Sequence, residues 1–359
     1  MLSSATWGDG DAAGFTTGDE RTTDVENAFL GWRSGKLFPA LGKNALDVSF
    51  GRQTFKIGDG FLVDGDPLNY GDGFDPLVGA GELPGDVDRG GAYYMAPRTA
   101  FDETAILRVG PESLRGEFFW LKSNNKGQSD TELAGTNLTA VHERLGTFGL
   151  TWLHGLSVDD AYAGFFGQTR RNGQDTFGLR YDGSAGVSDL SVAGEYVWQD
   201  NGGDGAEQAW YLGAGWSFGD TRWSPGAGAR FSTFSSGFDP LFYGFSTNYG
   251  TWFQGEVAGN FAGPFNTNTS VWHAYASAQP TPKLLLGLLY FHFDPRRDSQ
   301  GDFGGHEVDI YAEWTLNDHV MISPLLGIFK PDTSAADGGS QLGGTDSNVY
   351  AQATVTFTF

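Results

Sequence analysis

The chain alternates apolar and polar residues over segments of about 10 to 13 residues, and clusters of Gly, Asp, Asn, Ser and Pro separate these segments. Within residues 305–317, Val308 and Ile310 fall on one face of an extended strand, and Glu307 and Asp309 fall on the other. This alternation is typical of β-strands, because successive side chains point to opposite faces. The pattern therefore predicts an all-β chain with many strands.

No amphipathic helical pattern of comparable length competes with the strands. About 9 to 11 tilted residues are enough for a strand to span a bilayer, whereas strands of globular proteins usually have about 5 or 6 residues. The strand lengths therefore favour a membrane-spanning sheet. The predicted strands lie near 23–33, 44–57, 89–98, 101–110, 113–123, 143–156, 159–171, 174–184, 188–200, 207–219, 222–235, 250–262, 269–279, 283–294, 305–317, 319–330 and 348–359.

The connections between the predicted strands differ greatly in length. Short turns such as 171–175 and 316–320 contrast with long Asp/Gly-rich loops at 61–88 and 332–347. Transmembrane barrels combine short periplasmic turns with long external loops, and single-chain bacterial barrels have an even number of strands. We therefore predict one domain over residues 1–359, a transmembrane antiparallel up-and-down β-barrel of about 16 to 18 strands with long external loops. Residues 1–22 are expected to be loop-like or to hold an incomplete first strand.

The last segment, residues 348–359, ends on two aromatic residues of its apolar face, Phe357 and Phe359. A terminal strand with an apolar outer face suits the position where the last strand of a barrel meets the first. The ending also resembles the C-terminal signal that the bacterial outer-membrane assembly machinery reads. The expected partners are therefore the outer-membrane bilayer with its lipopolysaccharide, and that assembly machinery.

Aromatic residues near strand ends are candidates for the girdles that mark the two membrane interfaces. The alternative is that they are ordinary core aromatics. The candidates are Trp198, Trp210, Trp223, Trp252 and Trp272.

Composition supports a barrel and excludes several other classes. Gly occurs 55 times, aromatic residues make up 15%, and charged residues only 18%, below the roughly 25% of a soluble domain. Without cysteine, disulfides and thiolate metal sites are impossible. The net charge of −22 argues against nucleic acid as a partner. Neither a helical membrane span nor a signal peptide is visible.

Two sequence blocks carry a family resemblance. DVENAFLGWRSG at 24–35, followed by ALDVSFGRQTFKIGDGFLVDG at 45–65, resembles the start of the alginate-export family of outer-membrane channels, whose Gly-Arg-Gln triplet is Gly51, Arg52 and Gln53 here. GHEVDIYAEWTLNDHVMISPLLGIFKPDT at 305–333 is similar to the penultimate hairpin of that family. The resemblance implies a monomeric barrel of about 18 strands with a polar lumen that one long loop constricts.

The predicted lumen departs from that family in its charge. Polyuronate channels need strongly basic lumens, because Arg and Lys contacts must replace the hydration of a polyanion. Here the polar faces of the strands offer three basic and six acidic residues. The predicted lumen-lining residues are Arg180, Glu195, Glu207, Arg222, Arg230, Glu256, Glu307, Asp309 and Glu313.

The long acidic loop at 61–88 is the strongest candidate for a constriction. It carries Asp64, Asp66, Asp72 and Asp75. The loop either folds into the lumen and narrows it or lies outside as a solvated cap. The same aspartates suit a divalent ion that stabilises the loop.

A second calcium candidate is formed by Asp9, Asp11 and Glu20, whose spacing matches three positions of a calcium-binding loop. Ala13 occupies a ligand position that its side chain cannot serve, so a flexible acidic loop is the competing interpretation. Beyond calcium in these loops, no cofactor is expected.

Enzymatic chemistry finds little support in the sequence. Ser217 in GWSFG matches the letters of a nucleophile elbow but lies inside a predicted strand, where that motif needs a strand, a turn and a helix. The sequence therefore favours a passive outer-membrane channel for small hydrophilic solutes, including saccharides or oligosaccharides. Two alternatives stay open: a plugged barrel that acts through its external loops, and a soluble all-β carbohydrate-binding protein.

Overall fold

The computed structural model describes residues 2–6, 21–66, 99–202, 205–244, 254–257, 266–297, 304–339 and 343–359. A hairpin of β1 (Leu2–Thr6) and β2 (Arg21–Val25) stands apart from one large sheet. The strands of that sheet are β3 (Ala28–Arg33), β4 (Leu46–Arg52), β5 (Glu103–Val109), β6 (Leu114–Lys122), β7 (Glu132–His142), β8 (Gly146–Ser157), β9 (Asp175–Gly183), β10 (Leu190–Asp200), β11 (Glu207–Ser217), β12 (Gly226–Phe234), β13 (Thr269–Thr281), β14 (Leu284–Pro295), β15 (Gly305–Asn317), β16 (Val320–Pro331) and β17 (Asn348–Phe357).

Among the described residues the large sheet has 15 strands, and each pairs antiparallel with its neighbours in the chain. One end of the sheet carries short connections such as 143–145, 282–283 and 318–319, and we call it the turn end. The opposite end, the loop end, carries the long connections 53–102 and 235–268. Short turns at one end and long loops at the other are the arrangement of outer-membrane barrels. The predicted all-β, up-and-down transmembrane barrel is confirmed.

The two faces of the sheet meet different surroundings. On β11, Leu212 is 57% exposed while the adjacent Tyr211 is 6% exposed, and on β15 Ile310 is 57% exposed while Asp309 is fully buried. Large apolar side chains are thus exposed on one face, where a bilayer solvates them, and the other face carries the buried polar side chains together with buried apolar ones such as Phe119 and Phe234. We call these the outer and the inner face. No described helix is long and apolar enough to span a membrane.

Aromatic residues cluster on the outer face at the loop end. The ring centroids of Phe177 and Trp198 are 5.6 Å apart, and Phe231 lies 5.2 Å from Trp210 and 4.7 Å from Trp272. Such a row of aromatics is typical of a membrane interface. Of the other candidates, Trp223 lies in the turn between β11 and β12 and Trp252 lies outside the described residues.

The structure differs from the prediction at β7 and at the predicted strands 159–171 and 250–262. Strand β7 was not predicted, because its outer face is made of small or polar residues such as Ala134 and Thr136, which hide the alternation. The predicted strand at 159–171 is instead a connection that contains helix α1 (Asp160–Phe166). The Asp159 carboxylate caps this helix by accepting hydrogen bonds from the backbone N–H groups of Ala161 and Tyr162.

The predicted strand at 250–262 is also wrong in the part that the structure describes, because residues 254–257 form bends. The predicted strand at 89–98 lies outside the described residues. Phe357, the last residue of β17, is 61% exposed on the outer face, and Phe359 follows the strand and is fully exposed. Their role as an assembly signal stays a prediction.

Candidate functional site

Three chain segments fold against the inner face of the sheet, and we call them together the plug: residues 53–66, 235–244 and 254–257. The first comes from the β4–β5 connection, and the other two come from the β12–β13 connection, so all enter from the loop end. Phe61, Phe242 and Val257 of the plug are 2% exposed or less. The plug therefore occupies the lumen side of the sheet.

The triplet Gly51, Arg52 and Gln53 directs the chain from β4 into the plug. Gly51 has a φ of +119°, and a Cβ atom there would lie 2.5 Å from a carbonyl oxygen of β3, so only glycine fits. Arg52 forms an ion pair with Asp102 at 2.7 Å, and the side-chain amide of Gln53 donates to Thr104 Oγ1 at 2.7 Å. The triplet thus fixes the first plug segment to β5.

The first two plug segments are hydrogen-bonded to each other. Phe242 accepts from the backbone N–H of Asp64 at 2.8 Å and donates to the carbonyl oxygen of Leu62 at 3.1 Å. Gly244 donates to the carbonyl oxygen of Gly60 at 2.9 Å. These bonds satisfy backbone groups that burial would otherwise leave unpaired, so the two segments form one body.

Aromatic side chains fill the space between this body and the sheet. Phe55 lies 4.5 Å from Phe119 of β6, and Phe61 lies 5.1 Å from Tyr211 of β11 and 5.5 Å from Phe234 of β12, measured between ring centroids. Burial of a Phe side chain stabilises by roughly 1.5 to 3 kcal/mol. A continuous apolar cluster therefore obstructs this part of the lumen.

An ion pair that we call the clasp holds the second plug segment at the loop end. The Arg171 guanidinium donates to both oxygens of Asp239 at 2.7 Å, and to Gln128 Oε1 and Thr131 Oγ1 at 2.9 and 3.0 Å. Burial alone would raise the pKa of Asp239, but the charge and hydrogen bonds of Arg171 and the Leu241 backbone N–H hold this pKa below its usual value.

The third plug segment is held by a site that we call the acidic anchor. Glu307 of β15 accepts hydrogen bonds from the backbone N–H groups of Glu256 and Val257, the latter at 2.7 Å. Asp309, two residues further on the same inner face, is fully buried, and its carboxylate oxygens have no hydrogen-bond partner among the described residues. Two acidic side chains therefore lie side by side under this segment. Gln254 adds a contact by accepting from Arg230 at 3.2 Å.

The tip of the first plug segment, Gly58 and Asp59, lies against polar and charged residues of the sheet. Gly58 packs on Arg180, whose Cδ would lie 2.9 Å from a Cβ at this position. The Tyr211 hydroxyl donates to the Asp59 carboxylate at 2.5 Å. Arg180 itself donates to Asn137 Oδ1 at 2.9 Å. The tip is thus seated among polar groups while its flanks are apolar.

Asp66 is the last residue of the first plug segment. It is fully buried and accepts hydrogen bonds from Ser123 Oγ at 2.7 Å and from Asn125 Nδ2 at 3.2 Å. Burial raises the pKa of Asp66 to about 7, although these two hydrogen bonds and the charge of Arg52 act in the opposite direction. This carboxyl group is therefore poised to titrate near neutral pH.

The calcium candidates are only partly visible. Asp64 forms an ion pair with Lys56 at 2.9 Å rather than with other carboxylates. Within the described ranges, no group of three or more acidic or histidine side chains is arranged to hold a metal ion. Five of the candidates, Asp9, Asp11, Glu20, Asp72 and Asp75, lie outside the described residues.

Open space remains at both ends of the plug. At the turn end, a cavity of about 490 Å³ carries the ion pairs Arg33–Asp47, at 2.9 Å, and Arg108–Glu117, at 2.8 Å. At the loop end, a cavity of about 540 Å³ lies above the clasp. Open space thus lies on both sides of the plug.

The predicted lumen residues fall into several groups. Arg180, Glu195, Arg230, Glu307 and Asp309 are buried on the inner face, and Glu313 is half-buried in the same register.

Three further candidates have other positions. Glu207 lies on β11 at the loop end, where it accepts hydrogen bonds from Ser235 Oγ and the Gly237 backbone N–H. Glu256 belongs to the plug. The prediction for Arg222 is wrong, because it is exposed in the β11–β12 turn, with its guanidinium carbon 5.0 Å from the ring of Trp223.

The clasp was missed by sequence reasoning. Arg171 and Asp239 lie in connections 68 residues apart, and no periodicity relates them. The only available signal was the run Arg170–Arg171 in a loop, which alone does not identify a partner. Arg108 and Glu117 were recoverable, because they face each other across the short β5–β6 hairpin.

The antiparallel sheet, its exposed apolar outer face and its short turns and long loops at opposite ends define the class: the chain has the fold of an outer-membrane β-barrel. No protein-family model matches it, and no curated protein is detectably similar in sequence, so the resemblance to the alginate-export family stays a prediction. Among solved structures, it is similar to OccK10 (OpdN) of Pseudomonas aeruginosa at 13% identity, with a TM-score of 0.51, covering 88% of this chain and 81% of that one. OccK5 (OpdH) of the same organism gives 11% identity, a TM-score of 0.50, and 88% and 79% coverage. At these identities the likeness supports the barrel fold alone.

Proposed function

We propose that the chain is a passive outer-membrane channel for small hydrophilic solutes, with the plug as its constriction. The observation that carries the proposal is the pair of solvent-accessible cavities at the two ends of the lumen, with the plug between them among the described residues. Selectivity in such a channel depends on width and on the charged groups that line it. The proposal includes no bond-making chemistry.

Saccharides are the solute class that the lumen charges favour. The turn-end cavity carries three Arg and three acidic residues among its lining, a balance that does not concentrate either ion. A polyanion such as alginate would need a predominantly basic wall. Neutral, hydroxyl-rich solutes can instead exchange their hydration for hydrogen bonds with both signs of charge. This argues for neutral saccharides over polyuronates, and against export of alginate itself.

A second candidate function has one observation in its favour. The apolar cluster around Phe61, Phe234 and Phe242 fills the lumen between the two cavities, as expected for a barrel that is sealed and works through its external loops. In that case the plug is a permanent core. In the channel proposal, the plug must shift to open a path.

The two functions are separated by single-channel recording of the purified protein in a planar bilayer under a salt gradient. A steady conductance of the wild-type protein supports the channel. Silence of wild-type protein that is demonstrably inserted, together with conductance of Arg171→Met, supports a barrel that the clasp keeps closed. Silence of both supports the sealed barrel.

The same recording tests the lumen charges. Arg230→Glu replaces a buried inner-face cation, and Arg222→Glu is the matched control in the exposed turn. We expect Arg230→Glu to shift the reversal potential toward cation preference and Arg222→Glu to leave it unchanged. Equal shifts for both variants would contradict the assignment of Arg230 to the solute pathway.

A further inference from the structure

Three basic side chains form a row on the outer face of the sheet, at the loop end of β14 to β16. His292 pairs in register with His306 on the next strand, and His306 pairs with Lys330 on the strand after that. Side chains in such directly opposed positions have Cβ atoms about 5 Å apart. We call these three residues the basic row. They converge on one part of the surface of a chain whose net charge is −22.

Two members of the basic row carry a nitrogen that is available to a ligand. Lys330 is exposed, and its ammonium group has no ion-pair or hydrogen-bond partner among the described residues. His306 is also exposed, and its Nδ1 lies 2.8 Å from the Tyr290 hydroxyl, which leaves Nε2 for another partner. The His306 ring stacks on the ring of His292 with 4.3 Å between centroids, so its position is fixed.

The carboxylates next to the row in the sequence leave these two nitrogens open. Asp294 lies 3.1 Å from His292 Nε2, so this pair is engaged with itself. Asp332 follows Lys330 by two residues and forms no ion pair with it in the described part of the chain. An ammonium group and an imidazole N–H on adjacent strands can therefore donate to one oxyanion together.

The surface beside the basic row is that of a membrane interface. Toward the turn end, the outer face continues with Val308, Ile310 and Ile328, which are all exposed. Trp272 extends the row on β13, opposite His292. Aromatic side chains at the edge of an apolar band mark the level of the lipid headgroups, and the long loops of outer-membrane barrels face the cell exterior. The basic row is therefore at the headgroup level of the outer leaflet.

The characteristic lipid of that leaflet, lipopolysaccharide, carries phosphate groups on a saccharide headgroup above several acyl chains. We propose that the basic row binds a headgroup phosphate of lipopolysaccharide, with Lys330 Nζ and His306 Nε2 as the donors. Phosphate oxygens accept strong, charge-assisted hydrogen bonds from such groups. The apolar surface around Val308 and Ile328 then receives the acyl chains. The site belongs to the outer wall, so the inference does not rest on the proposed channel function.

The test is titration of the detergent-solubilised full-length protein with diphosphorylated lipid A, followed by native mass spectrometry. Lys330→Gln removes the ammonium group, and His306→Phe keeps a ring against His292 but removes both nitrogens. The matched control is Lys122→Gln, at the loop end of β6 on the opposite part of the outer face. Lys122 is half-buried and already bound to Glu103 at 3.1 Å, so it has less to offer a phosphate.

We expect saturable binding to the wild type, about tenfold weaker binding to Lys330→Gln, a smaller loss for His306→Phe, and no change for Lys122→Gln. Absence of saturable binding to the wild type would overturn the inference, as would equal losses for Lys330→Gln and Lys122→Gln. Dephosphorylated lipid A that bound as tightly would show that the acyl chains alone are recognised. Inorganic phosphate that bound as tightly as lipid A would overturn the lipid as the source of the phosphate.

The inference and the channel proposal fail separately. Lipid A binding without any conductance leaves the lipid site and removes the channel. Conductance without lipid A binding leaves the channel and removes the lipid site. Retention of the folded, heat-modifiable form on electrophoresis shows that a variant has lost a contact rather than its fold.

Discussion

The plug is held at two buried sites whose electrostatics are opposite. In the clasp, a guanidinium and a carboxylate compensate each other, and Arg171 is 2% exposed. In the acidic anchor, Glu307 accepts hydrogen bonds from two backbone N–H groups of the plug, and the group beside it, Asp309, is a second buried acidic side chain rather than a cation. Both sites fix a loop to the wall, but only the clasp is neutral as a unit.

This difference indicates which part of the plug is held firmly. Opposite charges at hydrogen-bonding distance offset much of their desolvation cost, whereas a buried carboxylate beside a second carboxyl group gains no such compensation. The segment 235–244, which the clasp holds, is therefore the better fixed of the two. The segment 254–257 is the one whose release costs least.

The largest effect is expected from breaking the clasp. Arg171→Met leaves Asp239 as an uncompensated buried charge, which should lower the free energy of unfolding by about 3 to 5 kcal/mol. Thermal unfolding followed by circular dichroism measures this loss. Arg170→Met, at the exposed neighbour, is the control and should stay within about 0.5 kcal/mol of wild type. Equal effects for both variants would show that the clasp contributes nothing.

The stability that the acidic anchor provides should depend on whether residue 307 has an acceptor oxygen, rather than on its charge. Glu307→Leu leaves the N–H groups of Glu256 and Val257 without their acceptor and should cost about 1 to 3 kcal/mol. Glu307→Gln keeps an acceptor oxygen and removes a buried negative charge that lies beside Asp309, so it should equal or exceed wild-type stability. Limited proteolysis at 254–257 gives the local readout. Destabilisation by Gln as large as by Leu would contradict this account.

Asp66 should make the first plug segment sensitive to pH. Its pKa is about 7 when folded and near 3.8 when unfolded, so between these values the folded state binds more protons. Stability should therefore fall as pH rises from about 4 to 7, by at most about 1.4 kcal/mol for each pH unit. Unfolding temperatures at pH 5 and 8 measure this slope. Asp66→Asn should flatten it, and an unchanged slope would exclude Asp66 as the cause.

The smallest effect is expected at the tip of the first plug segment, which neither the clasp nor the acidic anchor holds. Tyr211→Phe removes the hydrogen bond to Asp59 while keeping the ring against Phe61, and should cost about 1 kcal/mol. Thermal unfolding measures the cost, and the double variant with Asp59→Asn should add little to it. Strict additivity of the two substitutions would show that the hydrogen bond does not couple them.

The sequence predicted the barrel because alternation is local. Within β9 and β15, the faces carrying Phe177, Arg180, Glu307 and Ile310 follow from a period of two. Strand β7 was missed because small residues on its outer face weaken that signal. Helix α1 was not predicted, because residues 159–171 were interpreted as a strand although Asp159 is a residue that caps helices.

The plug could not be predicted in the same way. Its contacts join Asp64 to Phe242 and Arg171 to Asp239, pairs that share no sequence period. The acidic loop at 61–88 was identified as a candidate constriction, but its direction depends on where it meets the opposite wall. That contact depends on the tertiary structure, and the Gly-Arg-Gln triplet is the one local sequence feature that indicates it.

The bonds that seat the plug also set an order of assembly. Asp59 and Tyr211 are 152 residues apart, so Asp59 has no partner on the wall until β11 has joined the sheet. Contacts of such long sequence separation form late, because closing the intervening chain costs entropy first. Until then, Phe61 lacks the rings of Tyr211 and Phe234 against which it packs. The tip of the first plug segment is therefore seated only after most of the strands before it have been laid down.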